Sequence, residues 1–165
     1  MDDPTAPAPA LRDRLAEIVL DESSIARGSA TIDHEREVAI YDLIDQNVFV
    51  VVGRDDGPYV LKLSLADDRL VMTITSATID GEVRIIVSMT SLRRLIKDYF
   101  IVCSSYYDAI RNAPPSKIQA IDMGRRALHD EGSRILIDRL KDKVQIDHDT
   151  ARRVFTLICA LHWKG

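Results

Sequence analysis

The sequence predicts an α+β protein in which an antiparallel β-meander of about four to five strands packs against a helical C-terminal half, with one helix near the N-terminus. Two observations predict this class. Segments with strand-like alternation are grouped before residue 90, and segments with helical spacing follow it. Strands that alternated with helices would instead indicate a parallel sheet. Residues 1–14 are expected to form a disordered tail and residues 15–165 a single domain.

The strands are predicted from short apolar runs separated by turn residues. Leu61 and Leu63 alternate with Lys62 and Ser64, which indicates a strand with one buried and one wetter face. Turn residues that tolerate tight hairpins separate the last four strands; they are Asp56-Gly57-Pro58, Asp67-Asp68 and Asp80-Gly81. The predicted strands are Ala16–Leu20, Val48–Val52, Tyr59–Leu65, Leu70–Thr75 and Val83–Ser88. A helix is predicted between the first two, at Thr31–Asp45.

After Thr90 the apolar residues recur with helical spacing. The first stripe ends at Pro114-Pro115 and comprises Leu92, Leu95, Ile96, Tyr99, Cys103, Tyr106, Tyr107 and Ile110. A second helix begins at Pro115 or Ser116, and Gly132-Ser133 is interpreted as its stop and the N-cap of another helix. That third helix would carry Leu136, Leu140 and Val144. Asp147 is expected to cap a last helix that contains Ala151, Val154, Phe155, Ile158 and Leu161.

Composition excludes several classes of protein. The 165 residues are 46% apolar and 29% charged, which is typical of a globular domain. The net charge is −4 with both signs interleaved, so no basic surface for nucleic acid is expected. No run approaches the length of a membrane span, and residues 1–10 lack the basic and apolar regions of a secretion signal, so a cytoplasmic location is expected. Cys103 and Cys159 lie in apolar helical runs without a CxxC pair, which favours reduced thiols.

Known catalytic and metal motifs are missing from the sequence. His34-Glu35 lacks the second histidine of HExxH, and neither a GxSxG elbow nor a glycine-rich phosphate loop is present. His129-Asp130-Glu131 supplies acid-base and ligand chemistry, but consecutive helical residues point in different directions, so a polar helix end at Gly132 is the simpler interpretation. No catalytic residue, metal or cofactor is predicted.

Arginine pairs recur in the helical half, at Arg93-Arg94, Arg125-Arg126 and Arg152-Arg153. Asp122 and Asp149 precede Arg126 and Arg153 by four residues, the spacing of intrahelical ion pairs. Arg93, Lys97, Arg125 and Arg152 are left without a predicted partner. The candidate site for a small anion or an acidic partner therefore comprises Arg93, Arg94, Lys97, Arg125, Arg126, His129 and Arg152.

The remaining apolar residues suggest packing rather than chemistry. Tyr99, Tyr106 and Tyr107 fall on the apolar stripe and Phe100 lies beside it, so these aromatic residues are interpreted as core. Val60, Val71 and Ile86 make the outer face of the sheet more apolar than a solvated face requires, which predicts a homo-oligomer.

Several segments together resemble an alphaproteobacterial group, uncharacterised protein family zero-two-six-two, from about Leu15 to Gly165. They are DHEREVAI from Asp33, KDYF from Lys97, SYYDAIR from Ser105, IDMGRRALHDEGS from Ile121 and DTARRVFTLICALHW from Asp149. The resemblance implies a compact bacterial cytosolic protein and transfers no residue role.

The sequence supports two hypotheses about function, a leading one and an alternative. The first is a noncatalytic binding or regulatory domain that recognises a protein partner or a small anionic ligand. The second is a small hydrolase-like enzyme that uses His129, Asp130 and Glu131, with Arg125 or Arg126 orienting an anionic substrate.

Overall fold

The structure is a computed structural model that describes residues 11–76 and 81–162. Most of the predicted tail, Asp80 of the third turn and Trp163 of the last resembling segment lie outside these residues. The elements in chain order are β1 (Leu15–Leu20), α1 (Ala30–Asp45), β2 (Phe49–Val51), β3 (Tyr59–Ala66), β4 (Arg69–Ser76), β5 (Val83–Ser88), α2 (Thr90–Asn112), α3 (Pro115–Leu140), β6 (Val144–Ile146) and α4 (His148–His162).

The main sheet has the strand order β1-β3-β4-β5 and confirms the α+β class. Strands β3, β4 and β5 form the predicted antiparallel meander, in which Leu63 pairs with Met72 and Met72 with Ile85. β1 lies parallel to β3, with Ile18 opposite Leu61. The long connection through α1 and β2 permits this parallel pairing, because a two-residue hairpin can join only antiparallel strands.

One face of the main sheet forms a core with the helices. Leu61, Leu63 and Met72 are fully buried and share a hydrophobic cluster with Leu136 of α3 and Phe155 of α4. α4 is the most deeply buried helix, since nine of its residues are buried. The opposite face of the sheet carries half-buried Val60 and Val71 and exposed Ile86. The homo-oligomer predicted from these residues stays a prediction.

β2 does not join the meander. It pairs with β6 in a separate two-stranded antiparallel sheet, with Phe49 opposite Ile146 and Val51 opposite Val144. Val144 was expected on a helix, and that expectation is wrong. A strand of three residues leaves no detectable period in the sequence, and its partner is far away in the chain.

α3 runs without a break through Gly132-Ser133, so the predicted stop and second N-cap are wrong. The Ser133 hydroxyl donates to the His129 carbonyl at 2.7 Å, one helical turn back, and therefore does not cap a new helix. Gly132 is needed for close packing instead, because a Cβ atom there would lie 2.5 Å from the Phe155 ring. The predicted cap of α4 is confirmed, since the Thr150 amide donates to Asp147 Oδ1 at 2.8 Å.

Candidate functional site

His129 lies where α2, α3 and α4 meet. The Tyr99 ring of α2 stacks on the imidazole, with centroids 5.6 Å apart and planes at 25°. The Phe155 ring of α4 meets the imidazole edge-on, with centroids 5.5 Å apart and planes at 75°. Because Gly132 lets Phe155 approach α3, the half-buried imidazole is held between two aromatic rings.

The hydrogen bonds of His129 assign its tautomer. Its Nε2 lies 2.7 Å from Thr156 Oγ1, and that hydroxyl donates its one proton to the Arg152 carbonyl at 3.0 Å. Nε2 is therefore the donor to Thr156. Arg152 Nε donates to His129 Nδ1 at 3.3 Å, which requires a free lone pair on Nδ1. Burial, followed by the charges of Arg152 and Arg125, lowers the pKa of His129 to about 4, so the ring is neutral at pH 7.

The hydrogen bond between His129 and Thr156 runs in the wrong direction for a general base and its nucleophile. A base that activates Thr156 must accept the hydroxyl proton, whereas here Nε2 already carries a proton and Nδ1 faces a cation. Asp130 pairs with His148 at 3.2 Å, and Glu131 is exposed. Within residues 11–76 and 81–162, no group of three His, Cys, Asp or Glu side chains could hold a metal ion.

The arginines that the sequence singled out do not form one cluster. Arg125 and Arg126 share Asp122, at 2.7 and 3.1 Å, so the predicted Asp122–Arg126 pair is present. Arg125 was left without a predicted partner, and that interpretation is wrong because Asp122 precedes it by three residues, which is also a spacing that forms intrahelical ion pairs. Its guanidinium also lies 5.7 Å from the centre of the Tyr106 ring.

Arg93, Arg94 and Lys97 lie apart from these, on exposed positions in the first turns of α2. Arg93 pairs with Asp68, which lies in the turn between β3 and β4, so it has a partner that helical spacing could not show. The predicted pair between Asp149 and Arg153 is not formed. Arg153 instead donates to the carbonyl of Gln46 at 3.2 Å and to its side chain at 3.4 Å.

A cleft of about 430 Å³ opens beside His129, between α1, α2 and α4, and we call it the α1–α2–α4 cleft. The residues that line it are Glu35 of α1; Tyr99, Phe100, Cys103, Ser104, Tyr107 and Asp108 of α2; and Thr156, Cys159 and Ala160 of α4. The α2 residues recur at four-residue steps, so they form one face of the helix.

The sequence assigned this face of α2 to the core. In the structure only Ala109 is buried beyond Ile96, and the Tyr107 side chain is 65% exposed. The apolar stripe of α2 therefore extends past the helices that cover it. The one sequence signal for a cleft is the polar pair Ser104 and Asp108, one turn apart at the edge of the stripe.

The polar groups of the cleft are carboxylates, hydroxyls and thiols. Among the described residues, neither Glu35 nor Asp108 has an ion pair or hydrogen bond, and no lysine or arginine lines the cleft. Cys103 and Cys159 are free thiols, and burial raises the pKa of both. Both therefore stay protonated at neutral pH, which makes them weak nucleophiles and metal ligands.

Fold and site together define an α+β protein with a partly enclosed, largely apolar cleft in its helical half and a fully hydrogen-bonded histidine beside it. No helix within the described residues is long and apolar enough to cross a bilayer.

The chain belongs to the Uncharacterised protein family (UPF0262), which it matches over residues 12–164. It is 55% identical over 152 residues to a UPF0262 protein of Allorhizobium ampelinum, covering 92% of this chain and 96% of that protein. A UPF0262 protein of Brucella canis is 56% identical over 153 residues, covering 92% of this chain and 95% of the relative. One of Rhizobium etli is 53% identical over 152 residues, with 92% and 96% covered. No solved structure matches the chain.

Proposed function

We propose that this protein is a noncatalytic binding domain of the bacterial cytosol and that its ligand occupies the α1–α2–α4 cleft. The observation that carries the proposal is the cleft itself, an apolar cavity lined from three helices with a few polar groups at its edge. Its volume of about 430 Å³ falls in the range of small-molecule sites, roughly 300–1,000 Å³. A small organic molecule or one side chain of a partner protein would fit it.

The geometry around His129 favours binding over catalysis. A hydrolase would need His129 to take up a proton during the reaction. Burial and the neighbouring cation Arg152 oppose that uptake, and both ring nitrogens are already engaged. His129 instead orders the wall of the cleft, because it anchors Thr156 and stacks on Tyr99, and both of these residues line the cavity.

The test uses two adjacent exposed serines of α2. Ser104 lines the cleft, whereas Ser105 donates to the Ile101 carbonyl at 3.0 Å and does not line it. A library of small organic fragments with positive, neutral and negative charge is screened by amide chemical shifts. We expect fragments that change the amide chemical shifts of the lining residues. Their affinity should fall at least about tenfold in Ser104→Tyr and should be the same in Ser105→Tyr as in the wild type. Hits that map elsewhere, or that bind Ser104→Tyr unchanged, would contradict the proposal.

Arg152 favours a second candidate, a site for a small anion. His129 fixes Nε of the guanidinium, and its two terminal amino groups have no acceptor among the described residues. Arg152 lines a cavity of about 210 Å³, whose other lining residues are His129, Asp149, Arg153 and Thr156. The Asp149 carboxylate opposes an anion there, which is why this candidate ranks second. Inorganic phosphate should stabilise the wild type against heat more than Arg152→Gln, with Arg94→Gln as the exposed control; equal stabilisation of all three would exclude the site.

A further inference from the structure

The α1–α2–α4 cleft combines two features that select for charge. Its wall offers the aromatic rings of Tyr99, Phe100 and Tyr107, and its edge carries the carboxylates of Glu35 and Asp108. From this pairing we infer that the cleft binds an organic cation, an ammonium group attached to an apolar body. The inference rests on the proposed function and names the ligand class of the same site.

Two carboxylates make the edge of the cleft negatively charged. Glu35 comes from α1 and Asp108 from α2, so the two approach the cavity from different helices. Both are exposed, and neither has a cationic partner among the described residues. The nearby arginine Arg125 lies close enough to Tyr99 and Cys103 for its charge to act on both, and it is paired with Asp122 at 2.7 Å. A cation in the cleft would be attracted by both charges, and an anion would be repelled.

Three aromatic residues form much of the apolar wall of the cleft. The faces of tyrosine and phenylalanine rings attract ammonium groups, and this attraction strengthens when water is excluded. Tyr99 and Phe100 are half-buried in the wall of the cleft, and Tyr107 lies exposed near its edge. An apolar body would bury itself against these rings and against Cys159 and Ala160 of α4, while its ammonium group stays close to the carboxylates.

Three probes of similar size separate charge from apolar contact: phenethylammonium, 2-phenylethanol and phenylacetate. Their dissociation constants are measured at low salt from amide chemical shifts of the full chain. We expect phenethylammonium to bind about tenfold more tightly than the alcohol, and phenylacetate to bind weakest. The advantage of the cation should shrink by at least about threefold in Asp108→Asn and in Glu35→Gln.

Matched controls on the same helices are Asp98→Asn and Glu37→Gln, neither of which lines the cleft. They should retain the preference of the wild type. If alcohol and cation bind the cleft equally well, or if phenylacetate binds most tightly, the inference is overturned while the proposed function stands. If none of the three probes binds the cleft, the inference is overturned. A dimer whose interface blocks the cleft, detected by sedimentation, would overturn it too. Failure of the whole fragment library to bind at the cleft would remove the proposed function as well.

Discussion

Replacing Gly132 by alanine tests the packing that holds His129 in place, and Gly124 of the same helix provides the matched control. At Gly124 an added Cβ atom meets no heavy atom within 4 Å. At Gly132 it would lie 2.5 Å from Cδ2 and Cε2 of Phe155. Carbon atoms in contact are ordinarily about 3.5–4.0 Å apart, so either the Phe155 ring or helix α3 must move by roughly 1 Å. Phe155 is fully buried and in contact with Tyr99, which leaves the ring little room to move.

Both substitutions gain the same helix propensity, about 0.5–1 kcal/mol. Only Gly132→Ala also pays the cost of overpacking, about 1–3 kcal/mol. Gly124→Ala should therefore raise the free energy of unfolding, and Gly132→Ala should lie about 1–3 kcal/mol below it. Urea denaturation followed by circular dichroism measures both values. If the two variants were stabilised equally, Phe155 would not be packed against Gly132, and the described position of His129 would be wrong.

Three further predictions concern single side chains. Burial and nearby arginines lower the pKa of His129 to about 4, so the unfolded chain takes up a proton below about pH 6.5 before the folded chain does, and stability falls between pH 6.5 and 4. Urea denaturation at pH 7 and pH 5 should therefore show a smaller loss of unfolding free energy for His129→Gln than for the wild type. Equal losses would contradict the lowered pKa of His129. Buried Arg36 donates to the carbonyls of Ala160, Leu161 and Ala26. Because one ammonium group cannot reach all three, Arg36→Lys should lower the free energy of unfolding by at least about 2 kcal/mol. An unfolding free energy equal to that of the wild type would refute this. Asp147→Ala should lower the free energy of unfolding by about 1 kcal/mol and Asp147→Asn by much less, because asparagine retains the acceptor that caps α4; equal losses would show that this hydrogen-bond acceptor contributes nothing.

Features of the fold that depend on neighbouring residues were predictable from the sequence. The meander β3-β4-β5 follows from alternation and turn residues, and the cap of α4 follows from Asp147. The pair between Asp122 and Arg126 likewise follows from helical spacing. In each case the interacting groups lie a few residues apart or belong to consecutive strands, so the pattern itself contains the contact.

Features that depend on distant residues were not predictable. Gly132 has the appearance of a helix stop until Phe155, from another helix, is placed against it. The acceptor of Arg153 is Gln46, in a different part of the chain, and not the nearer Asp149. The local sequence cannot distinguish a glycine that ends a helix from a glycine that lets another helix pack closely, because the difference lies in the tertiary contact.

The candidate site shows the same limit. His129 and Arg152 were named among the candidate residues, and the structure brings them together at 3.3 Å. The cleft itself was missed because its wall has the composition of a core. Whether the stripe from Tyr99 to Tyr107 is covered depends on how far α1 and α4 extend, which single-sequence periodicity does not report.

The small β2–β6 sheet has a consequence for the order of folding. Its two strands come from distant parts of the chain, since strands β3 to β5 and the hairpin formed by α2 and α3 lie between them in sequence. Joining them requires closure of a long loop, which is entropically costly until the intervening elements have docked. The α2–α3 hairpin and the β3-β4-β5 meander, by contrast, are built from contacts that are local in sequence. Pairing of β2 with β6 is therefore expected to be among the last steps of folding, and pulse-labelled hydrogen exchange should find the amides of these strands protected after those of the meander.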